Sequence, residues 1–410
     1  MYTVGGPGYT SMRASQYMKY YKYLDDRDLI LFEQRGTQFA QPNLACPEWS
    51  EAVYKSNLPE NRAVNSEHIF NNAALKCRER LLNSGIDLNG YHTKEIAADI
   101  EDLRRVLNIE QYNFLSMSYS TKIAQVLIRD YPKTIRSVVM DSPLPLESNY
   151  DEVSVTNLYD AINKLLDDCE SDGDCKSKFP NLKSRYFDFL WRTNQNPIEI
   201  KVTNPNDNTE EIVKLKGKDL IAIFSDASTG DVASIPLEIN KLLSGDYSTI
   251  ENQLTALFQE PNNGDGRGMR LSVWCAEEFP FTNQVVVKNQ STKYPELIGL
   301  SSAVFSSDVC NIWNVKKVDE IENKPVKSNV PVLLISGEYD ELTPPYFAAI
   351  LLDNFVNSYH LVFKGWKHGP TTNWSNPCAM NCANAFFNNP LKEPDMECYK
   401  KIEKPKFVLE

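Results

Sequence analysis

The sequence predicts an α/β fold on a doubly wound, mostly parallel sheet, and two patterns predict it. The first is a set of short apolar runs rich in β-branched or aromatic residues: Leu29–Phe32, Tyr112–Leu115, Ser137–Met140, Val332–Ile335 and His360–Phe363. Runs of that length and make-up suit strands buried on both faces. The second is the amphipathic helical spacing between them. In Thr93–Leu107, the side chains of Ile96, Ala97, Ile100, Leu103 and Leu107 share a face, with Thr93 placed as N-cap. After Ser120, residues Ile123, Ala124, Leu127, Ile128 and Tyr131 repeat the pattern until Pro132 stops it. Strand, helix, strand in that rhythm gives βαβ units.

The texture changes between about Leu146 and Val326. Strand runs give way to helical stretches (Val155–Asp168, Leu182–Arg192, Leu237–Leu243) broken by polar loops. The expected organisation is a core in two parts, residues 1–145 and 327–410, around a mostly helical cap inserted at 146–326.

A formal charge of −12 argues against a nucleic-acid binder, which needs a basic surface to neutralise phosphates. No run approaches the ~18 consecutive apolar residues of a membrane span. The nine cysteines point to an oxidising compartment. Cys169 and Cys175 bracket an acidic turn suited to a short disulfide loop, and Cys378, Cys382 and Cys398 cluster near the C-terminus. No pair has the spacing of a zinc ribbon and the histidines are scattered, so neither a metal nor a cofactor is expected. An odd number leaves at least one thiol free or paired between chains.

Ser118 lies directly after one strand and directly before a helix, where a nucleophile elbow lifts a hydroxyl above the sheet. The usual pattern is G-x-S-x-G; here it is Ser116-Met117-Ser118-Tyr119-Ser120, which an ordinary polar βα turn also provides. Asp340 follows the strand Pro331–Ile335, and His368 follows the next strand. Both therefore face the sheet edge that carries the elbow. The chain order Ser, Asp, His is that of α/β-hydrolases. In these roles His368 takes the Ser118 proton, while Asp340 fixes the imidazole tautomer. His360 reads as a packing or edge residue, and His92 and His68 as solvated surface residues. Gly5-Gly6-Pro7-Gly8 follows a short strand, Tyr2–Val4, and the N–H groups of Gly6 and Tyr119 are the expected oxyanion donors.

Together these segments resemble the tripeptidyl and prolyl aminopeptidases among the α/β-hydrolase serine peptidases. Gly5-Gly6-Pro7-Gly8 resembles the family's H-G-G-P-G loop with Val4 for histidine. Glu33-Gln34-Arg35-Gly36-Thr37 resembles its D-Q-R-G-T-G segment, with Glu33 for the aspartate and Gln38 for the last glycine. The elbow, Arg136–Asp141, Gly337–Asp340 with Thr343-Pro344, His368-Gly369, and the stretch Cys378–Cys398 also match.

The resemblance implies a secreted or periplasmic enzyme with disulfides Cys46–Cys77, Cys169–Cys175, Cys275–Cys310 and Cys378–Cys398, leaving Cys382 free. It also implies two strands and a signal sequence before the oxyanion loop. The chain is accordingly expected to be N-terminally incomplete, with the strand before Gly5 at a poorly supported edge. The expected activity is release of residues or short peptides from a peptide with a free N-terminus. Glu277 and Glu278 are candidates for binding its ammonium, against the reading that both are solvated surface charges. Two other readings stay open: an esterase on the same triad, and a catalytically inactive binding protein. The latter is favoured by Val4, Gln38 and the serines at 116 and 120.

Overall fold

A computed structural model describes residues 1–57, 67–203, 208–257, 264–300, 303–394 and 396–410. Seven strands are used below: β1 (Tyr2–Thr3), β2 (Tyr112–Met117), β3 (Ile135–Asp141), β4 (Ile198–Thr203), β5 (Glu210–Leu215), β6 (Val332–Gly337) and β7 (Ser358–Phe363). Among the described residues, β1-β2-β3-β6-β7 form a five-stranded sheet, and every pairing in it is parallel. This is the sheet of an α/β-hydrolase.

Alternation along the strands explains why both faces are covered. Phe114, Val138, Met140, Val332 and Leu334 join one apolar cluster with Ile96, Ile100, Ile123 and Leu127 of the helices Thr93–Val106 and Ser120–Asp130. Their neighbours Leu115, Val139, Leu333 and Ile335 join another, with Ala14, Tyr21, Tyr23 and the helix Cys378–Asn388.

One expectation about the first strands needs correction. The run Leu29–Phe32 contributes only an isolated bridge, Leu31 to Tyr2, rather than a full strand. That bridge nevertheless places β1 between two neighbours. The Tyr2 N–H donates to Ile30 O at 2.8 Å, the Phe32 N–H donates to Tyr2 O at 2.9 Å, and β2 pairs on the other side. The strand leading to Gly5 is last in the order of the sheet, as expected, and its outer side carries this single bridge.

Between β3 and β6 a third cluster forms around the helices Ser154–Ser171, Leu182–Gln195 and Ile235–Leu243. It includes a β4-β5 antiparallel hairpin whose Ile200, Val202, Val213 and Leu215 point inward. The C-terminal tail also joins it: Phe407 and Leu409 pack there, and the Val408 N–H donates to Ala233 O at 2.8 Å. The helices Arg267–Val273 and Ser307–Trp313 instead return to the core cluster of the main sheet, where Cys275 is bonded to Cys310. Disulfides also link Cys46–Cys77, Cys169–Cys175 and Cys378–Cys398, the pairs that the resemblance implies, and Cys382 is free and buried.

Candidate active site

The parallel register sets the site. Met117 pairs with Asp141, Asp141 with Ile335, and Gly337 with Phe363, so the strands deliver the loops carrying Ser118, Asp340 and His368 to one sheet edge. Thr3 pairs with Ser116, which sends the Gly5-Gly6 turn out beside the elbow.

Ser118 has φ +57°, a left-handed conformation that costs a non-glycine residue of order 1–3 kcal/mol. Its surroundings hold it there. The Ser118 N–H donates to Asp141 O at 2.9 Å, and the Thr121 N–H and hydroxyl both return to Ser118 O. The two serines in glycine positions are fully buried and bonded. Ser116 Oγ donates to Val139 O at 3.0 Å. Ser120 Oγ accepts the Met117 N–H at 2.7 Å and faces the carbonyls of Thr3 at 2.8 Å and Met117 at 2.9 Å. Their hydroxyls tie the turn instead of crowding it. Ser120→Ala is expected to lower stability by about 1–3 kcal/mol, the cost of stranding buried partners, and thermal denaturation checks this.

The Gly5-Gly6 turn lies against the turn that carries Ser118. A Cβ on Gly5 would come within 2.7 Å of Met117 O and 2.8 Å of Tyr119 N, so only glycine fits. Among the described residues neither the Gly6 N–H nor the Tyr119 N–H donates a hydrogen bond. The segment Glu33–Thr37 braces this turn from behind. Gln34 Nε2 donates to Val4 O at 2.5 Å, and the Glu33 carboxylate accepts from Thr10, Ser11, Thr37 and Phe39.

His368 Nδ1 lies 2.8 Å from Asp340 Oδ2 and 3.1 Å from Thr343 Oγ1. Asp340 also accepts the N–H groups of Leu342 at 2.9 Å and Thr343 at 2.8 Å. Burial pushes the Asp340 carboxyl up, but His368 and the Thr343 bonds outweigh it and leave it below the ordinary value. Burial likewise pulls the His368 imidazole down, but Asp340 overcomes this and holds it above the ordinary value. Ser118, His368, Gly6 and Tyr119 line one cavity of about 340 Å³, which is also lined by Tyr150, Arg270, Val273, Trp274 and Glu278.

Glu277 and Glu278 are not solvated surface charges: both are buried. Glu277 is not among the residues that line the cavity. Its carboxylate accepts the Thr93 N–H at 2.5 Å and the Thr93 hydroxyl at 2.6 Å, and burial pushes it up to about 7. The helix expected to be capped by Thr93 therefore starts at Thr93 and takes its N-terminal acceptor from a distant glutamate, with His92 in the cap position. Glu278 does line the cavity, but its carboxylate is paired with the Lys122 ammonium and accepts the Tyr150 N–H at 3.3 Å. His92 is half-buried rather than solvated, with its Nδ1 shielded and, among the described residues, without a partner. His68 is exposed. His360 bonds Ser336 at 3.0 Å, and burial pulls it down to about 4.

Residues 299–398 match the family described as TAP-like protein. The serine protease Hip1 of Mycobacterium tuberculosis is 21% identical over 89% of this chain and 74% of its own. The Hip1 of Mycobacterium bovis matches to the same extent. Among solved structures, a proline iminopeptidase from Mycobacterium smegmatis is 13% identical, covering 75% of this chain and 74% of its own, with a TM-score of 0.34. An esterase from Thermogutta terrifontis is 9% identical, covering 95% and 89%, with a TM-score of 0.39. The chain has an α/β-hydrolase fold, and its C-terminal segment 299–398 is TAP-like. The likeness to Hip1 supports a serine hydrolase.

Several residues of this hydrolase's site escaped the sequence reading. Asp141 and Ser142 join the elbow to the histidine loop. The Asp141 carboxylate accepts the Thr371 N–H at 2.8 Å as well as the Thr371 hydroxyl, and Ser142 Oγ accepts the Gly369 N–H at 2.9 Å. Burial raises Asp141 to about 6. An acid at the carboxyl end of a strand in a βα sheet was the available signal. Lys122, Arg270 and Tyr150 carried none, because nothing local in sequence brings them to Ser118.

With His368 as general base, its contact with Asp340 predicts a pH dependence. Only neutral imidazole accepts a proton, so kcat/KM is expected to fall as pH drops through the His368 pKa. With that pKa raised, the acid limb lies above the ordinary histidine value of about 6.5. Asp340→Asn is expected to move the limb to lower pH, and a pH–rate profile of both proteins checks this.

Proposed function

We propose that this hydrolase is a serine peptidase that releases short N-terminal units through an acyl-enzyme on Ser118. The observation that carries the reading is Ser118 at φ +57° on the same cavity as the His368–Asp340 pair. His368 takes the hydroxyl proton as Ser118 Oγ attacks the scissile carbonyl. The free N–H groups of Gly6 and Tyr119 hold the oxyanion. His368 then returns its proton to the departing amine as the C–N bond breaks, and water releases the acyl group by the same steps in reverse.

Residues 146–326 act as the cap on this reading, supplying Tyr150, Arg270, Val273, Trp274, Glu278 and Val304 to the cavity. A cavity of about 340 Å³ suits a short peptide stub. Glu278 is matched by Lys122, so selection for a free amino end rests on the cavity's size rather than on an unpaired carboxylate. Four disulfides favour a secreted or periplasmic location. Among the described residues no helix is long and apolar enough to cross a membrane.

An esterase reading is favoured by one feature, the apolar part of the lining formed by Met117, Leu144, Val273 and Val304. Labelling with a fluorophosphonate, followed by assay on peptide and ester chromogenic substrates with Ser118→Ala as control, separates the two. Labelling with peptide release is the expected result. Labelling with ester turnover alone would overturn the peptidase reading, and absence of labelling would overturn both.

A further inference from the structure

Three charged side chains line the cavity of Ser118: His368, Glu278 and Arg270. The first two are compensated, His368 by Asp340 and Glu278 by Lys122. Arg270 is not. Among the described residues no carboxylate lies within 4 Å of its guanidinium, and its shielded Nε has no hydrogen-bond partner. Its guanidinium carbon sits 5.7 Å from the centroid of the Trp274 ring, which blocks one face. Its nearest electrostatic partners are the hydroxyls of Tyr9 and Tyr150, which carry no charge at neutral pH, and then Asp151, whose carboxylate accepts from Trp274 Nε1 at 3.1 Å and the Val304 N–H at 3.1 Å. Asp151 is also pushed up to about 7 by burial.

Its neighbour on the same helix, Arg267, adds positive charge rather than relief. Burial and the repulsion of Arg270 pull Arg267 down to about 10. A half-buried guanidinium whose shielded Nε donor is unused is costly unless an acceptor arrives. Its planar fork matches a carboxylate better than any other common peptide group.

We propose that Arg270 is an anchor for a substrate carboxylate in the Ser118 cavity, so that the preferred peptides carry an acidic side chain on the stub that is acylated. This rests on the peptidase reading for the identity of the ligand, but not for the binding itself. The net charge of the lining decides the class. With Glu278 neutralised, the cavity presents one fixed positive charge, which attracts a carboxylate and repels a lysine or arginine side chain.

The test measures binding to the full chain carrying Ser118→Ala, by calorimetry, so that nothing is turned over. Three short peptides serve as probes: one with glutamate and an amidated C-terminus, its glutamine counterpart also amidated, and the glutamine peptide with a free C-terminal carboxylate. The glutamate peptide is expected to bind about tenfold or more tightly than its amidated glutamine counterpart, the scale of a charged hydrogen bond. That ratio is expected to collapse to near one when Arg270→Gln is added, and to survive in part with Arg270→Lys. The ratio cancels any general loss in a variant, and a melting curve confirms each is folded.

If the free-carboxylate glutamine peptide binds tightly and the glutamate one does not, the acidic-side-chain assignment is overturned in favour of a C-terminal anchor. Equal binding of all three, or a preference that survives Arg270→Gln, overturns the anchor altogether. Failure of the peptidase reading shows separately, as wild-type protein that does not react with a fluorophosphonate or that turns over esters but releases no peptide.

Discussion

Replacing Ser118 with alanine is expected to lower kcat/KM by about four to six orders of magnitude, the loss seen when a triad nucleophile is removed. The thermal midpoint should not fall with it. Ser118 spends its backbone, not its hydroxyl, on holding the elbow: the bonds there run through its N–H and carbonyl. Removal of Oγ leaves those in place, and alanine meets the same φ penalty. Kinetics on the substrate found by the labelling assay, beside a melting curve, give both readings. Retention of more than about one per cent of activity would move the nucleophile elsewhere.

The second large effect concerns stability. Lys122 and Glu278 are an ion pair with side chains 3% and 4% exposed. Taking one charge away strands the other in a dry environment, which costs about 3–5 kcal/mol, whereas replacing both by apolar groups of similar volume is often neutral. Lys122→Met is therefore expected to destabilise the chain by about 3–5 kcal/mol, and Lys122→Met with Glu278→Leu to recover most of it. Denaturant unfolding of the two single variants and the double variant closes the cycle. The double variant also removes the one acid that lines the cavity, so its peptide kinetics test directly whether Glu278 helps to hold a free amino end.

The strands of the main sheet were legible because parallel strands buried on both faces leave unbroken apolar runs, as in Val332–Ile335. The positions of Ser118, Asp340 and His368 were legible for a related reason. Each follows such a run, and a parallel sheet gathers those ends on one edge. The β4-β5 hairpin was harder to see, although Ile198-Glu-Ile-Lys-Val alternates as a strand should, because it sits among helical stretches. What stayed hidden was chemistry between distant segments. Glu277 serving the helix at Thr93, Glu278 meeting Lys122, and Asp141 reaching Thr371 all depend on tertiary contact. The serines at 116 and 120 were misleading in the other direction. They read as departures from a glycine pattern, yet their hydroxyls are bonded within the turn.

The buried thiol of Cys382 carries a consequence for the redox life of the chain. It sits one helical turn after Cys378, and the sulfurs of Cys378, Cys382 and Cys398 all lie within 4.8 Å of one another. A third sulfur so near a disulfide is a ready attacker, since exchange needs only a thiolate in line with the bond. Burial pushes the Cys382 thiol up to about 12, which leaves almost no thiolate at neutral pH. The folded core thereby guards its own cross-link from shuffling. Heat or alkali that opens the helix Cys378–Asn388 releases the attacker and the target together, so scrambling of the Cys378–Cys398 link should accompany unfolding rather than precede it.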